Sequence, residues 1–192
     1  MELNEPKHSS TTLKMMNEEK RIEEEVVVVG HANADVDSLI STVLIVRFLK
    51  SQGVCSRGVI VGVPPDSWTL SVIHHACDVL CSPHHQDDGL IQESEMPIVV
   101  QKESLKGSRV FLVDHGMLSE SFGSNDLTQV KEIVGVVDHH RRGCVEPSSS
   151  SSVVKIKMHD PDAPSSSVLV WKLMKEKAMP VSCNTLKIML VA

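Results

Sequence analysis

The sequence predicts an α/β fold: a mainly parallel β-sheet sandwiched by helices. Three observations predict it. Val26-Val27-Val28-Val29, Val110-Phe111-Leu112-Val113 and Ile133 to Val137 are short, unbroken apolar runs, the pattern of strands buried on both faces. Segments of helical length, such as Ser38 to Lys50 and Ser165 to Lys177, fall between or after them. That alternation implies strand–helix–strand crossovers in a parallel sheet.

In chain order, residues 1–25 are charged and polar and read as a solvated N-terminal extension; residues 26–192 form the folded domain. A length of 192 residues suits one domain with a tail and is too short for two full ones. The first strand, Val26 to Val29, ends at Gly30. The helix Ser38 to Lys50 is followed by Gly53, a helix-stop residue. Gly58 to Val63 is the next strand, closed by Pro64-Pro65, and Asp66 to Cys81 is a weakly patterned helix before a loop over Ser82 to Gly89. The run Val110 to Val113 stops at Asp114, and Ile133 to Val137 stops at Asp138. Ser148 to Ser152 reads as a surface loop and Val153 to Met158 as an additional strand. Serines at 165–167 are available to cap the helix that they begin. A last helix, from Ser182, runs into the apolar stretch Ile188 to Ala192, a candidate contact for a protein partner.

Composition narrows the function classes. Nineteen Lys and Arg against 25 Asp and Glu give a net charge of −6, which argues against nucleic acid held by bulk positive charge. With two Trp, three Phe and no Tyr there is no stacking platform for single strands either. No apolar run reaches the roughly 20 residues that a bilayer requires, and the N-terminus lacks the apolar centre of a signal peptide. Five cysteines without framework spacing point to free thiols in a reducing compartment, so a cytoplasmic protein is expected. An acidic chain can still handle phosphates where metal ions invert the local charge.

The chemistry sits where the apolar runs stop. Val26 to Val29 leads into Gly30-His31-Ala32-Asn33-Ala34-Asp35-Val36-Asp37; Val110 to Val113 into Asp114-His115-Gly116; Val136-Val137 into Asp138-His139-His140-Arg141. In an open parallel sheet, ligands bind beyond the carboxyl ends of strands, so the three clusters are expected to meet at one edge. Carboxylate and imidazole together suit Mn, Fe, Co or Zn, and a carboxylate such as Asp114 can bridge two ions. Plainer readings exist for each: Asp35 or Asp37 could cap the helix near Ser38, His115 could be an ordinary loop residue, and Asp138-His139-His140 a surface turn. His74, His75, Cys77, Cys81, His84 and His85 crowd together, but their spacing matches no standard zinc site.

The three motifs in order, Gly30 to Ser38, Val113-Asp114-His115 and Val137 to Arg141, resemble the DHH phosphoesterase superfamily. The similarity is greatest to its branch of family II inorganic pyrophosphatases, exopolyphosphatases and prune-like proteins. This resemblance implies a dinuclear centre, with Mn2+ favoured and Mg2+ or Co2+ able to substitute. His31 and Asp35 would hold one ion, Asp37 and His139 the other, and Asp114 would bridge. Asp138 would orient His139, while His140 and Arg141 would face the substrate or the leaving phosphate. The implied reaction is hydrolysis of pyrophosphate or polyphosphate. Two rival readings are a phosphodiesterase acting on short oligonucleotides and a non-catalytic, prune-like binding form. A fourth-motif aspartate is expected a few residues beyond Ala192, and the family's second domain is not in this sequence. The isolated chain is therefore expected to bind metal, at least at His31, Asp35 and Asp114, and to hydrolyse poorly or not at all.

Overall fold

The computed structural model describes residues 25–62, 64–71, 95–118, 130–147 and 155–179. Four consecutive valines suit a pleated surface packed on both sides, and Val26–Gly30 form the fully buried strand β1. Helix α1 follows (Val36–Ser51), started by Asp35, whose side chain accepts from Ser38 N. It is buried along nearly all its length, and its apolar residues from Leu39 to Leu49 are not confined to one stripe. Strand β2 (Ser56–Val61), β3 (Ile98–Val100), a 3-10 turn at Lys102–Leu105, and β4 (Arg109–Val113) come next. Strands β5 (Glu132–Asp138) and β6 (Ile156–His159) precede helix α2 (Ser166–Glu176), which Ser165 caps.

The six strands are all parallel, in the order β3-β2-β1-β4-β5-β6. From β1 the chain moves outward to β2 and β3, then crosses back to β4 and moves the other way. The reversal lies between β1 and β4, the kind of place where open parallel sheets bind ligands beyond the carboxyl ends of their strands. His31 and Asp114 follow those two ends.

Successive strand residues point to opposite faces. Val26, Val28, Phe111 and Val113 therefore pack with α1 and α2 residues such as Leu44, Phe48 and Leu173. Val27, Val29, Val110 and Leu112 form the opposite layer with Leu105, Leu118 and Val130. Among the described residues both long helices lie on one face.

Several details depart from the sequence reading. The edge strand β3 is unanticipated. Strand β6 runs over Ile156–His159 rather than 153–158, with 153 and 154 outside the described residues. Of the helix expected at 66–81, residues 67–71 are helical, and 72–81 lie outside the described residues. The polar extension, the cluster from His74 to His85, the serine run and the apolar C-terminal segment lie outside the described residues. Among the described residues no helix is long and apolar enough to cross a membrane, and Cys55 and Cys144 are free thiols.

Candidate metal centre

The loop after β1 turns tightly onto α1. A Cβ at Gly30 would lie 2.6 Å from Ile60 Cδ1 and 2.7 Å from Thr42 Oγ1, so only glycine allows this approach. His31 N donates to Ser38 Oγ (2.7 Å), and Asp35 Oδ1 accepts from Ser38 N (2.9 Å). Asp35 is thus the helix cap that the sequence allowed, and it stays exposed. Asp37, the second residue of α1, is buried and faces the start of α2. Its Oδ2 accepts from Ser166 N (2.7 Å), and its Oδ1 from Ser167 N (2.9 Å) and Ser41 Oγ (3.3 Å).

Asp114 stands at the end of β4 with φ +63°, in the left-handed region that Asp tolerates better than most side chains. Its amide donates to Val137 O (2.8 Å), and its Oδ1 accepts from Ser166 Oγ (3.0 Å). Burial, reinforced by the neighbouring Asp37 and Asp35 carboxylates, pushes Asp114 up to about 9. His115 occupies a loop position, as the sequence allowed, yet it is fully buried, and that burial lowers it to about 4. Its Nδ1 donates to Val113 O (2.8 Å).

The third strand end corrects one expectation. Asp138 does not orient His139: its Oδ1 lies 2.8 Å from Nδ1 and 3.1 Å from N of His140. Nδ1 of His139 faces Ala163 O instead (3.3 Å). A carbonyl only accepts, so in the neutral ring this Nδ1 carries the proton and Nε2 keeps its lone pair. That is the arrangement of a metal-ligating histidine. Nε2 lies 3.4 Å from Asp114 Oδ1 and 3.7 Å from Asp37 Oδ2. Ligand atoms of Asp114, His139 and His140 all lie within 4.8 Å of one another.

The residues fit a hard or borderline cation. Two buried carboxylates and an imidazole lone pair converge from the start of α1 and the ends of β4 and β5, and a cation would relieve the burial and like-charge repulsion that raise Asp114. His31 and Asp35 stand further out. The His31 ring stacks 6.1 Å from that of His140, and its Nδ1 accepts from Asn33 N (3.0 Å). The neutral ring then carries its proton on Nε2, so ligation through Nε2 requires the Asn33 bond to open. Arg141 is exposed on the loop that follows His140.

The family description "DHH family, N-terminal domain" matches residues 25–192. The chain belongs to the DHH family. Probable manganese-dependent inorganic pyrophosphatases are among its relatives. That of Streptococcus mutans is 25% identical over 166 residues, covering 86% of this chain and 46% of its own. That of Streptococcus pyogenes is 26% identical over 158 residues, 81% of this chain and 43% of its own. The DHH chain thus spans a little under half the length of these curated relatives. An exopolyphosphatase-related protein of Bacteroides fragilis shares the fold, with a TM-score of 0.56 at 15% identity, over 90% of this chain and 45% of that one.

In this DHH chain the residues that sequence reasoning missed are Ala163, whose carbonyl faces His139, and Ser166 and Ser167, which hold Asp37. The three serines were legible as a helix cap, and Ser165 is one, but nothing in the sequence says that α2 begins against the start of α1. For Asp138 a signal existed. Near a strand end, residues two apart lie to the same side, which links Asp138 to His140 rather than to His139.

Proposed function

We propose that the chain is the metal-binding domain, residues 26–192, of a Mn2+-dependent phosphoanhydride hydrolase acting on pyrophosphate or polyphosphate. The observation that supports it most is the approach of His139 Nε2 to both Asp114 Oδ1 and Asp37 Oδ2, three groups from the ends of β5 and β4 and the start of α1. The relatives named as manganese-dependent pyrophosphatases support the choice of metal and reaction. Asp37 and His139 would hold one ion, His31 and Asp35 a second, with Asp114 between. Bound Mn2+ would supply Lewis-acid charge to a phosphoryl group and acidify water at neutral pH.

The chain's own residues do the remaining work. Asp138, fully buried, holds Nδ1 of the half-exposed His140 ring, so Nε2 is not engaged by Asp138. In the charged ring that Nε2–H would donate to the leaving phosphate, with the Asp138 carboxylate steadying the imidazolium. Arg141 on the same loop would meet phosphate oxygens. The test is phosphate release from pyrophosphate and polyphosphate by the purified 192-residue chain with Mn2+. Slow, Mn2+-dependent release that Asp114→Ala abolishes is expected; equal release by parent and variant overturns the reading.

A further inference from the structure

The first turn of α2 touches both buried carboxylates. Ser166 donates its amide to Asp37 Oδ2 (2.7 Å) and its hydroxyl to Asp114 Oδ1 (3.0 Å). Ser167 N adds a bond to Asp37 Oδ1 (2.9 Å). Asp37 comes from the start of α1 and Asp114 from the end of β4, so no local backbone geometry fixes their spacing. Among the described residues Ser166, itself wholly buried, donates a hydrogen bond to each of the two carboxylates.

The lone pairs explain what this achieves. A carboxylate offers about four lone-pair sites. On Asp37, Ser167 N and Ser41 Oγ occupy Oδ1, and Ser166 N occupies one site of Oδ2. The helix leaves the second site on Oδ2, the oxygen that stands 3.7 Å from His139 Nε2, and Asp37 also lies within side-chain hydrogen-bonding reach of Asp114. On Asp114 the Ser166 hydroxyl likewise fixes Oδ1, the oxygen 3.4 Å from His139 Nε2. The helix start therefore holds the same two oxygens, Asp37 Oδ2 and Asp114 Oδ1, that approach His139 Nε2. Its amides and dipole also soften the repulsion between two acids held close together.

We propose that Ser166 is a positioning residue for the metal centre, setting the separation and orientation of Asp37 and Asp114 through one amide and one hydroxyl. This rests on the metal-centre reading above. Removing a group that orients a metal ligand weakens metal binding by about 10- to 100-fold. Ser166→Ala keeps the amide and deletes only the hydroxyl. Ser165→Ala, which deletes the cap of the same helix without touching either carboxylate, separates positioning from stability.

The experiment titrates Mn2+ into the 192-residue chain by calorimetry, alongside melting curves and EPR spectra of the bound Mn2+. Ser166→Ala is expected to raise the Mn2+ Kd by about 10- to 100-fold and to alter the EPR line shape. Ser165→Ala is expected to lower Tm by about 2–4 °C with the parent's Kd and spectrum. If Ser166→Ala does not fold, Ser166→Cys, of similar size but with a weak S–H donor, carries the same comparison. Parent affinity and spectrum in the folded Ser166 variant overturn the inference alone. A parent chain that takes up no Mn2+ overturns the metal-centre reading beneath it.

Discussion

Asp138 Oδ1 accepts from both the Nδ1 (2.8 Å) and the amide (3.1 Å) of His140, while its Oδ2 is buried without a hydrogen-bond partner among the described residues. An unsatisfied buried oxygen costs about 1–3 kcal/mol. That cost accompanies an arrangement that gives His140 a fixed ring and an adjacent negative charge. Asp138→Asn keeps the shape and removes the charge. It is expected to lower phosphate release about 10- to 100-fold while leaving the Mn2+ Kd, set by Asp37, Asp114 and His139, nearly unchanged. Calorimetry and phosphate release on the same sample check this. A loss confined to Mn2+ affinity would return Asp138 to the orientation of His139.

Asp114, raised to about 9 by burial and by Asp37 and Asp35, holds a proton at neutral pH when no cation is present. Cation binding must displace it. Near pH 7, Mn2+ binding is expected to release about one proton, and affinity to climb with pH until about 9. Calorimetry in buffers of different ionisation enthalpy measures the proton count. Release of no proton would show that Asp114 is already ionised or takes no part.

The parts of the fold legible in the sequence are those with a local cause. Val26 to Val29 admits no solvated face and so had to be a buried strand, and Asp35 before the helix had to be considered as its cap. Strand β3 was illegible because three residues, Ile98–Val100, carry no periodicity, and two of them are exposed at the sheet edge. The meeting of strand ends followed from parallel topology alone, so Asp114 and His139 were found together. The pairing of Asp37 with Ser166 was not, because it depends on how two helix starts 129 positions apart dock on one face.

His115 and Asp114 impose opposite pH slopes on the metal-free fold. His115, lowered from 6.5 to about 4 by burial, contributes stability that is complete above 6.5 and lost as pH falls through about 4. Asp114, raised from 3.8 to about 9, makes the folded state the better proton binder, so its contribution declines as pH rises across that range. Between about pH 4 and 6.5 the two oppose each other; above 6.5 only the decline remains. Urea denaturation at successive pH values is expected to show His115→Asn falling steadily with rising pH from about 4. Asp114→Asn is expected to rise from about 4 to 6.5 and then level. Parallel profiles for both variants and the parent would contradict the assignment of these slopes.

Two glycines separate the cost of crowding the core from the cost of disturbing His140. A Cβ at Gly135, in β5, would lie 2.3 Å from the Phe111 ring on the neighbouring strand β4. A Cβ at Gly116 would lie 2.7 Å from Asp138 Oδ2 and 3.0 Å from Cys144 Cα. Neither neighbour can swing into solvent, since Phe111 and Asp138 are both fully buried. Overpacking of this kind costs about 1–3 kcal/mol, so Gly135→Ala and Gly116→Ala are expected to destabilise to a similar degree. Their effects on chemistry should diverge. Displacing Phe111 leaves the strand ends in place, and Gly135→Ala should keep the parent's turnover below its melting range. Displacing Asp138 moves the oxygen that holds the His140 ring, so Gly116→Ala should lose about tenfold or more in phosphate release while retaining Mn2+ affinity. Urea denaturation, calorimetry and phosphate release on the pair decide it. Equal turnover in the two variants would mean that the Asp138–His140 contact does not govern the reaction.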